Sequence, residues 1–168
     1  MFEPSITARN MKTRLIAILA AVLAFQSCGR MVDWVPVNLI IEVYDSSGRD
    51  LLDPATGNTW LEGTTITFRG ETEPLQLQPA TKYYMPQFYG FRLKKGDGNY
   101  QLEYGEIDGA IEYRDEPFTI RWGDGSEDII SLTRRLNYIS ISAKTKWKLN
   151  GSKTSSPIVI TKDIRTQE

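Results

Sequence analysis

The 168-residue sequence contains no histidine and a single cysteine, Cys28. The first absence removes Ser-His-Asp and Cys-His nucleophilic catalysis, and the two together remove zinc sites built from His and Cys. One cysteine also excludes an internal disulfide, so any fold must rest on its apolar core. Carboxylates, Lys and Tyr remain for catalysis, yet no motif arranges them. Glu103, Glu106, Asp108 and Glu112 lie close in sequence, but nothing places two of them across a cleft as glycoside hydrolysis requires. The expectation is a protein that is not an enzyme, with no cofactor and no metal. A basic excess is missing as well. Against 20 Lys and Arg stand 21 Asp and Glu, which argues against nucleic acid, whose binding is driven by neutralising phosphates. Finally, the longest apolar run, Leu15 to Phe25, has eleven residues, where a spanning helix needs about twenty.

What is present begins with that run. Met11-Lys12-Thr13-Arg14 precedes it, and Gln26-Ser27-Cys28 follows. A charged start, a short apolar core and a small residue before cysteine make an export signal. The ten residues before Met11 include Glu3 and Pro4 and add nothing a signal needs, which points to Met11 as the start. Phe25-Gln26-Ser27-Cys28 resembles the lipobox of bacterial lipoproteins, in the loose form found in Bacteroidetes. Phe25 stands where Leu is usual, and Gln26 where a small residue is usual. The resemblance covers the leader only. It implies that residues 1–27 are a signal peptide, helical only in the precursor, and that Cys28 carries a diacylglycerol and an acylated amino terminus. It also implies the bacterial cell envelope, on the outer membrane, with the periplasmic or surface face open. An acidic run after the cysteine is associated with surface display in that family, and none follows Cys28, which leans towards the periplasm. Each buried methylene contributes about 0.8 kcal/mol, so two or three acyl chains hold a protein in place where one does so only reversibly.

On this reading residues 28–36 are the lipidated cysteine and a short tether, and residues 37–168 form a single domain. The tether after Cys28 reaches at most about 28 Å. Its Met31, Val32, Trp34 and Val35 are too apolar for a solvated linker, and are expected to pack on the domain or lie at the lipid surface. Without the leader the chain holds 17 basic and 20 acidic residues, the wrong sign for electrostatic adhesion to anionic lipid.

From Val37 the pattern has period two, with Val37, Leu39, Ile41 and Val43 on one face. Asp45 to Gly48 reads as a turn, Trp60 as a core plug from a loop, and Thr64 to Arg69 as a strand. Glu71 to Pro74 reads as a polar turn before a short strand at Leu75 and Leu77. Asp97-Gly98 at the centre of a two-residue type I′ turn sets Lys94 opposite Gln101, Arg92 opposite Glu103, Leu93 opposite Leu102 and Phe91 opposite Tyr104. One face of that hairpin is then polar with an ion pair, and the other wholly apolar. A second hairpin with Asp124-Gly125 at its tip sets Arg121 against Asp128 and Ile120 against Ile129, with Phe118, Ile120 and Trp122 inward. Asn137 to Ala143 alternates as a strand with Ile139 and Ile141 inside. Asn150-Gly151 marks a turn, and Pro157 opens the last strand, Ile158 to Thr161. Residues 37–168 show no helical period and no internal repeat. Eight to ten short strands predict an all-β, antiparallel β-sandwich, immunoglobulin-like first, with a jelly roll or small barrel second.

Three features suggest sites. Asp124, Ser126 and Asp128 have the alternating oxygen spacing of a calcium loop, without the rest of the twelve-residue pattern. Trp122-Gly123-Asp124-Gly125-Ser126 also resembles the Gly-Asp-Gly turn of PKD-type Ig-like domains, which implies a structural hairpin. The aromatic run around Tyr83, Tyr84 and Phe88 offers rings on which a sugar could stack. Lys144, Lys146 and Lys148 form a basic row on one strand face with Trp147 on the other, as suits protection of a sheet edge. The expected function is a membrane-anchored, non-enzymatic interaction or structural lipoprotein. It is held through Cys28 and has an envelope protein as its partner. The alternative is glycan binding through Tyr83, Tyr84 and Phe88.

Overall fold

The computed structural model describes residues 32–77 and 90–163. The leader, Cys28 and the run holding Tyr83, Tyr84 and Phe88 lie outside the described residues. From Trp34 onward the described chain belongs to one compact unit. Its strands are β1 (Val37–Tyr44), β2 (Thr65–Phe68), β3 (Glu71–Gln76), β4 (Gly90–Lys95), β5 (Tyr100–Ile107), β6 (Tyr113–Arg121), β7 (Glu127–Asn137), β8 (Ser142–Leu149), β9 (Ser152–Thr154) and β10 (Ile158–Thr161). Two single-turn 3₁₀ segments, Pro54–Thr56 and Thr59–Leu61, lie between β1 and β2. The fold is all-β, as expected. The strands form one sheet in the order β10-β1-β5-β4-β3-β2-β6-β7-β8-β9, nearly closed and barrel-like.

The sheet is mixed rather than purely antiparallel. β10 runs parallel to β1, with Ile41 beside Ile158 and Val43 beside Ile160, and β3 meets β4 in parallel at Leu75 and Gln76. β3 is the corner strand: Glu71 to Pro74 pair with β2, and the two residues after them pair with β4. Alternation tells which face a residue takes, not which way its neighbour runs.

Period two places Leu39, Ile41 and Val43 wholly inside. They share one core with Phe118 and Ile120 of β6 and Ile130 and Leu132 of β7. Phe68 stacks on Phe118 with centroids 4.2 Å apart. The β4–β5 hairpin has the expected register at all four pairs. Arg92 lies 2.6 Å from Glu103, and Lys94 3.7 Å. Its turn differs in type. Only Gly98 has positive φ, 121°, whereas a type I′ turn needs a positive value at Asp97 as well.

Three further expectations need correction. Glu71 to Pro74 are strand, and the β2–β3 turn falls at Arg69-Gly70, where φ is 51° and 83°. The β6–β7 hairpin is shifted by one: Arg121 faces Glu127 and Ile120 faces Asp128. Its loop has an odd length, closed by Trp122 N–H donating to Ser126 O at 2.9 Å, with Gly125 left-handed. Ile130 therefore points inward and Ile129 outward. Third, Asn137 to Ala143 are not one strand. β7 ends at Asn137, β8 starts at Ser142, and Tyr138 to Ile141 make the turn between them. Ile139 is 97% exposed and Ile141 45%, not inside. Asn137 explains this. Its Oδ1 accepts the N–H groups of Ile139 at 3.0 Å and Ser140 at 3.1 Å, an Asx turn that ends the strand.

Candidate functional site

The calcium-like triplet is the first place to look for chemistry, because two carboxylates and a hydroxyl converge there. Asp124 Oδ1 accepts from the N–H and hydroxyl of Ser126, at 2.9 and 2.6 Å, and shapes the loop. Asp128, buried on β7, accepts the Trp122 indole N–H at 2.7 Å on one oxygen and the Asn150 amide at 2.8 Å on the other. The remaining charge is met by Lys162, just after β10. Its Nζ is 3.8 Å from both Asp124 Oδ2 and Asp128 Oδ2 and is hydrogen-bonded to Ser126 Oγ. The ammonium also sits 4.8 Å from the centre of the Trp122 ring, a cation–π contact. Burial raises the Asp124 pKa, but the two Ser126 hydrogen bonds and the Lys162 charge outweigh it, so the net direction is down. A lysine thus occupies the place a cation would take. Calcium or EDTA is expected to leave the melting temperature unchanged, and a calcium-dependent rise in a thermal melt would contradict this.

Of the other carboxylate candidates, the Glu106 side chain lies outside the described residues, and the remaining three have structural duties. Glu103 is held by Arg92 and by the Asn38 amide. Asp108 accepts from Ala110 N–H, and Glu112 from Leu136 N–H. A cleft of about 330 Å³ between β2, β3 and β5 is lined by Glu71, Glu73, Tyr104, Asp108 and Tyr113. The Tyr104 phenol is pushed up by burial and then by Glu73 and Glu71, so it stays protonated near neutrality. Arg69 covers the Tyr113 ring at 4.9 Å and pairs with Glu116 at 3.1 Å. Among the described residues no group of His, Cys, Asp and Glu is arranged to hold a metal. The lysine row points outward and Trp147 inward. Among the described residues β9 pairs only with Trp147 to Leu149, so Lys144 and Lys146 lie on a stretch of β8 with β7 on one side alone.

An exposed apolar feature outside these polar clusters is the β7–β8 tip. Tyr138, Ile139 and Ile141 are exposed together, and Tyr138 meets the half-buried Trp34 edge to face at 5.8 Å. Val35 adds a side chain that is 77% exposed. Ile141 holds φ at 48°, a costly conformation for a β-branched residue. The segment before β1 is clamped to this end of the sheet. Buried Arg134 donates to Gly109 O at 3.0 Å, Thr145 Oγ1 at 3.0 Å and Val35 O at 3.4 Å. Gly109 leaves room for that strap, since a Cβ there would stand 2.1 Å from Val35 O.

Sequence reasoning missed both Lys162 and the tip. No local signal marks Lys162 as a partner of residues more than thirty positions away. For the tip, Asn137 was the signal, a turn former preceding an alternation that otherwise reads as strand. Comparison of the chain with protein-family models, with curated proteins and with solved structures finds no significant match.

Proposed function

We propose that this chain is a non-enzymatic lipoprotein of the bacterial envelope, anchored through lipid on Cys28 and working as an interaction or structural module. The observation that carries the reading is the leader, an export signal ending at the sole cysteine. The fold is compatible with it. The Val35 carbonyl is held by Arg134, and Cys28 lies only six residues before Trp34 in the sequence. Among the described residues the terminal strands β9 and β10 each have an unpaired side, and added strands are a common mode of partner binding. The glycan-binding alternative rests on Tyr83, Tyr84 and Phe88. Among the described residues the exposed Tyr138 stands perpendicular to Trp34 at 87°, which is not a flat stacking platform.

Cells fed labelled palmitate should label the wild-type chain, and Cys28→Ala should abolish the label. A variant that still carries palmitate would overturn the anchor.

A further inference from the structure

We infer that the β7–β8 tip, with Trp34 and Val35, dips into the lipid surface that holds the chain. This deepens the anchored reading and rests on it. Ile139 is 97% exposed, so its side chain gains nothing from folding, yet it shares one turn with the exposed Tyr138 and Ile141 instead of standing singly. The tip is also held in shape. Asn137 caps it, the Ser140 and Ser142 hydroxyls bond at 2.8 Å, and Ile141 is kept left-handed.

Two observations name lipid as the occupant. The first is reach: Cys28 lies six residues before Trp34, so an acylated Cys28 lies at most about 22 Å along the chain from a ring that touches the tip. The second is charge. Arg135 and Lys144 face each other directly across the hairpin two rungs below the tip, and both are exposed. Among the described residues neither makes an ion pair. Like charges opposite one another destabilise a sheet, and anionic headgroups would relieve them. Glu112, which accepts from Leu136 N–H, offsets part of this charge. Apolar insertion should therefore dominate, with a modest dependence on anionic lipid. Aromatic rings and isoleucines above basic residues suit the headgroup boundary.

The test uses the full chain, produced in a host that processes lipoproteins and reconstituted into phosphatidylethanolamine–phosphatidylglycerol vesicles. An acylated Cys28 leaves no free thiol, so Ile139→Cys supplies the only site for a fluorescent maleimide. Apolar faces of interfacial elements sit about 5–10 Å into the headgroup boundary, so a shallow lipid-borne quencher should reduce the signal strongly. A probe at Ser46→Cys, in the turn at the other end of β1, should keep its signal. An unquenched Ile139→Cys probe in an acylated chain overturns the tip and leaves the anchor standing. Maleimide labelling of the wild-type chain means that Cys28 is unacylated and that the anchor fails. The Ile139→Cys probe is then read in a Cys28→Ala background with the same vesicles. Quenching there sustains lipid insertion by itself, and none overturns it.

Discussion

Trp122→Ala should destabilise the protein by about 3–5 kcal/mol, lowering the melting temperature by roughly 10–20 °C. Trp122 is among the largest fully buried side chains, at the end of the inward stripe that also holds Phe118 and Ile120. Its removal costs more than area. Trp60, whose indole donates to Leu51 O at 3.0 Å, loses a ring partner 5.4 Å away. Buried Asp128 loses a donor at 2.7 Å, and Lys162 loses the ring it covers. Trp122→Phe should recover most of the apolar burial while still lacking the indole N–H, and so cost only about 1–3 kcal/mol. Denaturant or thermal unfolding measures both. An alanine variant within about 1 kcal/mol of wild type would mean that this cluster contributes little to stability.

The second large effect separates two glycines of one loop. At Gly123 a Cβ would stand 2.1 Å from Glu62 O and 2.4 Å from Trp60 O, both backbone atoms that no rotamer change can move. The Gly123 N–H also donates to Thr64 Oγ1 at 3.0 Å, which ties the loop to the start of β2. Gly123→Ala must push two backbone segments apart, at a cost of about 1–3 kcal/mol or more. At Gly125 the space is open and the obstacle is φ of 82°, worth about 1–2 kcal/mol for an L residue. The two variants should differ in kind. Gly123→Ala should also loosen the Trp60–Trp122 contact, seen as a change in near-UV circular dichroism, whereas Gly125→Ala should leave that spectrum intact. Matching spectra would contradict the close approach.

Legibility in the sequence followed the range of the interactions. The β4–β5 hairpin was readable because a Gly turn, an ion pair and an apolar face all agreed within fifteen residues. The β6–β7 hairpin had the right tip and inward stripe but the wrong register, because its odd loop length depends on a left-handed Gly125 and the Trp122–Ser126 closure. In the β7–β8 turn the isoleucines alternate like a strand, yet the Asn137 side chain competes with the ladder for backbone N–H groups and wins.

By itself, the sequence determined the all-β class, the inward faces of β1, β4, β5 and β6, and the chemistries excluded by having no histidine and one cysteine. These follow from side-chain period and residue type, which are local. Only the tertiary structure decided that β1 and β10 run parallel, that Lys162 neutralises Asp124 and Asp128, and that the β7–β8 tip meets Trp34. Each of these joins segments far apart in the chain. Which of them meet is decided by how the sheet closes, and no short window of sequence carries that.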